Sequence, residues 1–479
     1  MLFRSWVDQV LNTASVYVDP NPVMFDDLAT GVGGTTVTLN STVAPKEVIY
    51  NNTTAKPYTL SGSGKISGSG TLTKRNTGTA TISGILNDYT GVTRIEGGTL
   101  SVDVISNGGV ASPLGAATSA SSNLVLAGGT LTYTGATTTT DRGFLIDANN
   151  SIFNTTNDLT VTGTVSTGLV GNFNKAGAGK LTIAGVGSNT IGSVGAVNRV
   201  SAGTLAFDGT SGAQTNTVLA ELWVAETPDV PAKLSLLNTS VTMPGWLAVG
   251  RGNGDNGVCN IDLINSSLSV GNFSAGFNNG LANNASETFI VQNNSTFTNT
   301  GTTNLAESNA SAATWEMING SVYTAGNTLN IGGVGTATGV ITVKDTSSII
   351  KNGAGTMVIG NAGIGTLNLE NSATLTVGNN ETYIGNAGAT TQGFLNVKDN
   401  ATVNLGATTF VGKSDVAGTG FSQGTLNQTG GTVNAATWLV VGRYVGAQGF
   451  YNISAGTTNQ VGAANGMIIG EGGTGTLNV

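Results

Sequence analysis

The stretch TLNLENSATLTVGNNETYIGNAGATTQGFLNVKDNATVNLGATTFVG, residues 366–412, decides the fold of this chain. Within it a short apolar strand that ends in glycine occurs twice, as Tyr383-Ile384-Gly385 and Phe410-Val411-Gly412. The same anchor position recurs through the second half of the chain at Gly250, Gly276, Ala306, Gly332, Gly360, Gly385, Gly412, Gly442 and Gly470. The intervals are 26, 30, 26, 28, 25, 27, 30 and 28 residues. A near-constant period of this size indicates a solenoid, because each repeat buries its apolar face only against its neighbours.

Each repeat also holds two further short strands, for example residues 366–369 and 374–377. In the first of these, alternation places Leu367 and Leu369 on one face and Asn368 on the other. Three short strands in ~28 residues are typical of one triangular coil of a β-helix. The glycine anchors suit its sharp corners, because glycine adopts positive φ at little cost. We therefore predict an all-β fold, a right-handed parallel β-helix (β-solenoid).

Composition narrows the possible functions. The chain has 479 residues, of which 72 are glycine, 39% are hydrophobic and 9% are charged, against the ~25% charged residues of typical domains. Its net charge is −8 and it has no basic cluster, which argues against nucleic-acid binding. A single cysteine excludes an intramolecular disulfide framework, and the absence of histidine removes the commonest metal ligand and general base. The sequence shows no signal peptide and no transmembrane run.

One family resemblance rests on residues 68–102, GSGTLTKRNTGTATISGILNDYTGVTRIEGGTLSV. This stretch resembles the autotransporter-associated β-strand repeat of bacterial surface proteins, which combines a G-x-G-x-L-T turn-strand with Ser-Gly, Tyr-Thr-Gly and Gly-Gly-Thr-Leu elements. Residues 175–208 resemble it again, with Thr190-Ile191-Gly192 in place of Tyr-Thr-Gly, and residues 128–131 form a partial copy. The resemblance implies the passenger region of an autotransporter, and with it a membrane β-barrel or sorting anchor downstream.

The pattern divides the chain into four predicted segments. Residues 1–34 are an irregular or capping segment, and residues 35–210 are a β-helix with autotransporter-type repeats. Residues 211–245, which contain Pro228 and Pro231, interrupt or kink the stack. Residues 246–479 form regular coils, and the sequence ends within a repeat, so we expect a truncated C-terminus.

The middle strands carry a row of asparagines that invites two interpretations. Its members are Asn260, Asn368, Asn396, Asn427, Asn452 and Asn478. Stacked one coil above another, they would form an amide ladder that stabilises the stack. An outward row of this kind could also contact glycans, but we favour the structural ladder.

Two kinds of chemical site are suggested by the sequence, and each has a simpler explanation. The turn at residues 250–258 holds Asp255 and resembles calcium-binding turns, but those need tandem copies, so a plain turn is favoured. Polysaccharide lyases and hydrolases on β-helices use clustered carboxylates with basic residues. The candidates here are Asp26, Asp27, Asp141, Arg142 and Asp147. Adjacent Asp141 and Arg142 would point to opposite faces of a strand, and scattered acids pair by chance, so we predict no catalytic, cofactor or metal site.

The remaining distinctive residues also have structural explanations. Threonine-rich strands such as residues 374–376 raise the idea of an ice-binding face, but the outward residues are too irregular between coils. Four tryptophans, Trp223, Trp246, Trp315 and Trp438, are spaced too irregularly to form a stacking platform. We expect Trp246 and Trp438, which lie just before glycine-ended strands, to cover the stack. Cys259 is expected to be a small buried residue. Lys413 and Arg443, which follow corner glycines, are expected to face solvent.

These observations predict a non-enzymatic, extended stalk or passenger region of a secreted or surface-displayed bacterial protein of autotransporter type. Its role would be display or adhesion at the outer membrane surface, with surface glycans or host and neighbouring cell surfaces as partners, and without nucleic acid or a cofactor. Two alternatives stay open. A carbohydrate-active β-helix enzyme would need a groove lined by acids and bases from adjacent coils, and a glycan-binding adhesin would need an exposed aromatic or asparagine row.

Overall fold

The computed structural model describes residues 6–8, 13–15, 17–28, 35–227, 229–251, 258–277, 286–308, 310–386, 388, 391–414, 420–462 and 465–479. Over these residues the regular structure is β-strand, apart from one 3₁₀ turn at Ser121–Asn123. The described part of the chain contains no helix long and apolar enough to cross a lipid bilayer. The all-β prediction is confirmed.

The strands are short and closely spaced along the chain. Those of the first third are β1 (Trp6–Asp8), β2 (Thr13–Ser15), β3 (Val23–Asp26), β4 (Thr35–Thr38), β5 (Glu47–Asn51), β6 (Tyr58–Ser61), β7 (Thr71–Arg75), β8 (Thr79–Ile82), β9 (Thr93–Ile95), β10 (Thr99–Val102), β11 (Leu124–Leu126), β12 (Thr130–Tyr133), β13 (Thr138–Thr140), β14 (Phe144–Ile146), β15 (Ser151–Thr155) and β16 (Leu159–Val161). Those of the middle third are β17 (Val165–Thr167), β18 (Phe173–Ala176), β19 (Lys180–Ile183), β20 (Gly187–Ile191), β21 (Val197–Val200), β22 (Gly203–Asp208), β23 (Gln214–Val218), β24 (Glu221–Val224), β25 (Ala232–Leu237), β26 (Ser240–Val249), β27 (Val258–Ile264), β28 (Ser267–Ala275), β29 (Ser286–Gln292), β30 (Thr296–Asn299), β31 (Thr303–Leu305) and β32 (Ala312–Met317). Those of the last third are β33 (Val322–Ala325), β34 (Leu329–Ile331), β35 (Thr338–Val343), β36 (Ser348–Lys351), β37 (Met357–Asn361), β38 (Ile364–Leu369), β39 (Thr374–Val377), β40 (Thr382–Asn386), β41 (Thr391–Val397), β42 (Thr402–Leu405), β43 (Thr409–Lys413), β44 (Ser422–Ala435), β45 (Leu439–Arg443), β46 (Ala447–Gln460), β47 (Met467–Glu471) and β48 (Thr474–Asn478).

The chain divides into two compact units, residues 1–198 with 203–219 and residues 199–202 with 220–479. In the first unit, one parallel sheet stacks β3, β5, β7, β9, β11, β14 and β17 in that order. A second stack runs β4, β6, β8, β10, β12, β15 and β18, and a third runs β13, β16, β19 and β22. Every stack is parallel, as expected when a coil lies directly on the one before it.

The second unit is built from three stacks that run its whole length. The anchor stack contains the glycine-ended strands: β24, the ends of β26 and β28, β31, β34, β37, β40, β43, β45 and β47. The ladder stack contains β25, β27, β29, β32, β35, β38, β41, the starts of β44 and β46, and β48. The third stack contains the starts of β26 and β28, then β30, β33, β36, β39, β42 and the ends of β44 and β46.

The register of the anchor stack confirms the repeat found in the sequence. Leu329 pairs with Met357, Met357 with Thr382, and Thr382 with Thr409, so each strand lies on its counterpart one repeat away. In the first unit the coils differ from the predicted ~28 residues. Thr130 pairs with Ile152, 22 residues on, because that unit connects its strands with shorter loops. The right-handed sense of the coil, the domain boundaries and the kink at residues 211–245 stay predictions.

Two rows of glycine make the corner between the anchor and ladder stacks. The first is the predicted row of anchors, and Gly360, Gly385, Gly412 and Gly442 all have φ between 73° and 79°. Ala306 takes the same place with φ of 54°. The second row was not predicted and lies on the ladder stack at Gly365, Gly393, Gly424, Gly449 and Gly475. A Cβ at the second of these would lie 2.1 Å from the Gly385 nitrogen and 2.2 Å from the Ile359 oxygen, so the two backbones meet where only glycine fits.

Aliphatic and aromatic side chains fill the interior. Leu367 and Leu369 are fully buried, as the alternation of their strand predicts. Trp315 lies at the centre of an aromatic cluster, with its ring centroid 4.7 Å from that of Phe289 and 4.6 Å from that of Tyr323. Because each coil contributes one layer, the core of the second unit is a column held together by contacts between neighbouring coils.

Three lysines lie inside the stacks, which the sequence analysis did not foresee. Lys74, Lys175 and Lys351 are fully buried near the C-terminal ends of β7, β18 and β36. Their ammonium groups donate to loop carbonyls: the Nζ of Lys351 lies 2.9 Å from the Gly353 oxygen, and that of Lys175 lies 2.8 Å from the Ala176 oxygen. Burial lowers the pKa of Lys74 and of Lys175 to about 8. The lysines thus satisfy corner carbonyls that turn inward.

Candidate functional surfaces

The asparagine row forms a continuous ladder over the last coils of the second unit. Each side-chain amide donates from Nδ2 to the Oδ1 of the coil before it: Asn396 to Asn368 at 2.7 Å, Asn427 to Asn396 at 2.9 Å, Asn452 to Asn427 at 2.8 Å and Asn478 to Asn452 at 2.7 Å. Each inner amide therefore donates one hydrogen bond and accepts one between coils, as the structural interpretation predicts. A shorter ladder on the third stack joins Asn459 to Asn434 and Asn434 to Asn404.

The prediction was wrong for Asn260, which is not part of this ladder. Asn260 lies opposite Thr288 on β29, whereas the ladder position on β27 is occupied by Asp262. The column from that position runs through Ile290, Glu316 and Thr342 to Asn368. A shift of two residues keeps the same face of a strand inward, so hydrophobic alternation alone cannot detect it.

The candidate carboxylates of a polysaccharide-cleaving site are not brought together. Asp26 ends β3 and Asp147 follows β14, and five steps of the stack separate these strands, about 24 Å. Paired carboxylates in glycosidases lie ~5–9.5 Å apart. Asp26 instead accepts the Leu28 amide at 3.0 Å, and Asp147 pairs with Arg94 at 2.8 Å. Asp27 accepts the amide of Thr53, and this hydrogen bond lowers the pKa of its carboxyl.

Asp141 and Arg142 lie between two strands and hold a loop in place. The Arg142 guanidinium is buried and donates to the carbonyl oxygens of Ser106 at 2.8 Å and Gly115 at 2.6 Å. The Asp141 carboxylate accepts the amide of Gly108 at 2.6 Å. Both side chains are thus used to fix the loop around residues 106–115, which explains this pair without catalysis.

Asp255, the acidic residue of the turn that resembles calcium-binding turns, lies in residues 252–257, outside the described part of the chain. Among the described residues, no group of three or more Cys, Asp or Glu side chains is placed to hold a metal ion. Cys259 is fully buried on the inner face of β27, as predicted. Trp315 is likewise buried, while Trp438 points outward and is 40% exposed.

The outer face of the anchor stack changes character along the second unit. Its central position is apolar in the first two coils, at Trp223 and Ala248, and polar in the next three, at Ser274, Asn304 and Asn330. In the following coils it becomes apolar, at Val358, Tyr383, Phe410, Val440 and Ile468. Of these residues, Val358, Phe410 and Val440 are buried, whereas Tyr383 and Ile468 are partly exposed.

A groove of about 480 Å³ lies along this row, and we call it the aromatic groove. Its floor includes Phe410, Val440 and Ile468, and its rims carry Trp438 on one side and Lys413 with Arg443 on the other. The prediction that both cations simply face solvent was incomplete, because they are half-buried over aromatic rings. The Lys413 Nζ lies 3.9 Å from the centroid of Tyr383.

Charged groups at the aromatic groove are balanced in sign. The guanidinium carbon of Arg443 lies 4.9 Å from the Phe410 centroid, and its Nη1 lies 3.3 Å from the Glu471 carboxylate. On the other rim the Tyr383 hydroxyl donates to Glu381. Partial burial, followed by this hydrogen bond and the charge of Glu381, raises the pKa of Tyr383 to about 12, so the phenol stays protonated near neutral pH. The groove offers rings, hydrogen-bond donors and carboxylate acceptors together.

Comparisons with known proteins agree with the architecture. Residues 72–102 match the passenger-associated-transport-repeat family, which confirms the identification of residues 68–102 as an autotransporter-type repeat. The chain is 30% identical over 285 residues to the adhesin BmaC autotransporter of Brucella suis biovar 1 (strain 1330). The aligned region covers 56% of this chain and 7% of that protein. No solved structure matches the chain.

Proposed function

We propose that the chain is a non-enzymatic stalk or passenger region of a bacterial surface protein of autotransporter type, serving display or adhesion outside the outer membrane. One observation carries this proposal: parallel coils follow one another in unbroken register along the anchor stack, from β24 to β47. Such a stack needs only contacts between neighbouring coils, so it can be extended by repetition and can hold surface groups at fixed spacing.

The matched repeat and the similarity to an adhesin autotransporter support the same role. Because this chain spans 7% of that protein's length, the activity and partners of the whole are part of the proposal. The alternative of a polysaccharide-cleaving enzyme is not favoured, because the candidate acids Asp26 and Asp147 are widely separated and serve as loop and ion-pair partners. An anchor outside this chain, either a membrane β-barrel or a sorting segment, belongs to the same proposal.

Surface display can be tested by fusing the chain, with an N-terminal epitope, ahead of the translocation unit of an autotransporter in a Gram-negative host. We expect antibody to reach the epitope on intact cells, and we expect these cells to adhere to epithelial cells more than cells bearing the translocation unit alone. An epitope that becomes accessible only after lysis would contradict the passenger role. Surface exposure without added adhesion would restrict the role to display.

A further inference from the structure

The aromatic groove has the features of a ligand site rather than of a structural seam. Its floor residues Phe410 and Val440 lie on the face of the anchor stack away from the core column and are themselves buried, so the accessible surface of the groove belongs mainly to its rim residues. The ring of Trp438 stands beside them with 40% of its surface exposed, and Gly466 in the next coil leaves space next to that ring. Aromatic side chains on a concave surface supply contact area at low conformational cost.

The size of the groove limits what can occupy it. Its volume is about 480 Å³, within the ~300–1,000 Å³ usual for small-ligand sites. It extends from Glu381 before β40 to Glu471 at the end of β47, three steps of the stack or about 14 Å. An elongated ligand of a few rigid rings, lying along the solenoid axis, fits these dimensions.

The polar groups define the chemistry of that ligand. Two carboxylates, Glu381 and Glu471, lie with two cations, Lys413 and Arg443, so the described groove has no net charge. A ligand with a strong charge of its own would meet one pair of like charges at close range. Hydroxyl groups suit the site instead, because each can donate to a carboxylate and accept from an ammonium or guanidinium group.

We propose that the aromatic groove binds a short neutral oligosaccharide. The apolar face of one pyranose ring packs on Trp438, and hydroxyl groups of the same oligosaccharide form hydrogen bonds with Glu381, Lys413 and Arg443. A peptide is less suited, because the ladder of the anchor stack already uses the backbone groups of β43 and β45 and leaves no strand edge in the groove. This proposal names the class of ligand that the surface protein would bind. Its connection to adhesion rests on the function proposed above.

Binding can be measured on the purified chain by isothermal titration and ligand-observed NMR. The probes are maltotetraose, cellotetraose and tetra-N-acetylchitotetraose, with tetragalacturonate as the acidic counterpart. We expect at least one neutral tetrasaccharide to bind with a Kd of ~0.1–1 mM. This affinity should change little with salt, since no ion pair forms with the ligand.

Two variants and a matched control locate the site. Trp438→Ala should weaken binding roughly tenfold by removing the stacking ring, and Glu381→Gln should weaken it through a hydroxyl contact. Phe421→Ala removes an aromatic residue that is 68% exposed outside the groove and should leave binding unchanged. Circular dichroism and urea unfolding should show that all three variants remain folded, because these side chains point outward.

The proposal is overturned if none of the three neutral probes binds below ~10 mM. It is also overturned if Trp438→Ala and Glu381→Gln bind as the parent does, or if tetragalacturonate binds more tightly than every neutral probe with a steep dependence on salt. These measurements use the chain in solution. They can therefore fail while the epitope is displayed on cells, and they can succeed while display fails.

Discussion

Replacing Gly393 with alanine tests the close contact between the anchor and ladder stacks. The added Cβ would lie 2.1 Å from the Gly385 nitrogen and 2.2 Å from the Ile359 oxygen. Both are backbone atoms of other strands, so no rotation of a side chain can relieve the overlap. Overpacking a filled interior costs typically ~1–3 kcal/mol, and a clash with two backbones should lie at the upper end, about 3 kcal/mol.

Two other glycines separate this clash from ordinary effects of alanine. At Gly378 a Cβ would meet its nearest atoms at 3.6 Å, so Gly378→Ala should change the free energy of unfolding by less than about 1 kcal/mol. Gly84 has φ of 70° with nothing within 4 Å of a Cβ, and Gly84→Ala should cost only the conformational penalty, ~1–2 kcal/mol. Gly393→Ala thus reports the steric clash, Gly84→Ala reports the cost of positive φ, and Gly378→Ala is a control for both.

Urea unfolding followed by circular dichroism measures the three differences, and hydrogen exchange locates them. We expect the loss of protection in Gly393→Ala to centre on the coils that contain Gly385 and Ile359, because each coil contacts only its neighbours. If the free energy of unfolding of Gly393→Ala equals that of Gly378→Ala, the two backbones do not meet as closely as the structure shows. The explanation of the two glycine rows would then be wrong.

Three further predictions concern the interior and the ladder. Lys74 and Lys175 have pKa values lowered to about 8 from 10.5, so between about pH 8 and 10.5 the unfolded chain binds more protons and the free energy of unfolding should rise with pH. In urea titrations at the two ends of this window, the variant Lys74→Met with Lys175→Met should show a smaller rise than the parent, and an equal rise would refute the assignment. Asn427→Ala removes two ladder hydrogen bonds and should lower the free energy of unfolding by about 1–3 kcal/mol. Asn478→Ala removes one such bond and should lower it by about half as much. Equal losses in chemical unfolding would show that the ladder does not stabilise the stack. Cys259, fully buried, should react with a thiol reagent only in denaturant, and rapid reaction of the folded chain would place it at the surface.

The repeat in the sequence predicted the stacking accurately, because in a solenoid the spacing of repeats along the chain equals the offset between stacked strands. The anchor interval of 25 residues from Gly360 to Gly385 equals the register offset from Met357 to Thr382. Glycine at a corner was likewise predictable, since the turn requires positive φ. The same row even accepts Ala306, whose place in the series was inferred from spacing alone.

Other features depend on contacts between coils that one repeat cannot reveal. The prediction that Asn260 belongs to the ladder was wrong, because a shift of two residues along a strand leaves its buried face unchanged. The inner glycine at Gly393 could have been noticed from its fixed distance of three residues before Asn396. Lys351 was not foreseen inside the stack, because its burial depends on the carbonyls of a loop that turns inward.

The aromatic groove was missed for a related reason. Trp438 was considered only among the tryptophans, whose spacing is irregular, whereas it lines the groove together with Phe410 and Lys413 of a neighbouring coil. The signal was present in the sequence as aromatic residues at the central position of consecutive anchor strands. An amino-acid pattern read along the chain shows such a row only after the repeats have been aligned with one another.

Distances between spin labels on the third stack test the parallel coil most directly. Thr242 and Asn459 occupy the same outward column eight steps apart, and Thr298 and Asn404 occupy it four steps apart. Labelled as cysteine pairs, with Cys259 buried and unreactive, they should give distances near ~38 Å and ~19 Å by pulsed electron paramagnetic resonance. A parallel solenoid requires a constant increment of ~4.8 Å per coil along the column. Distances that fail to grow in proportion to the number of coils would contradict it.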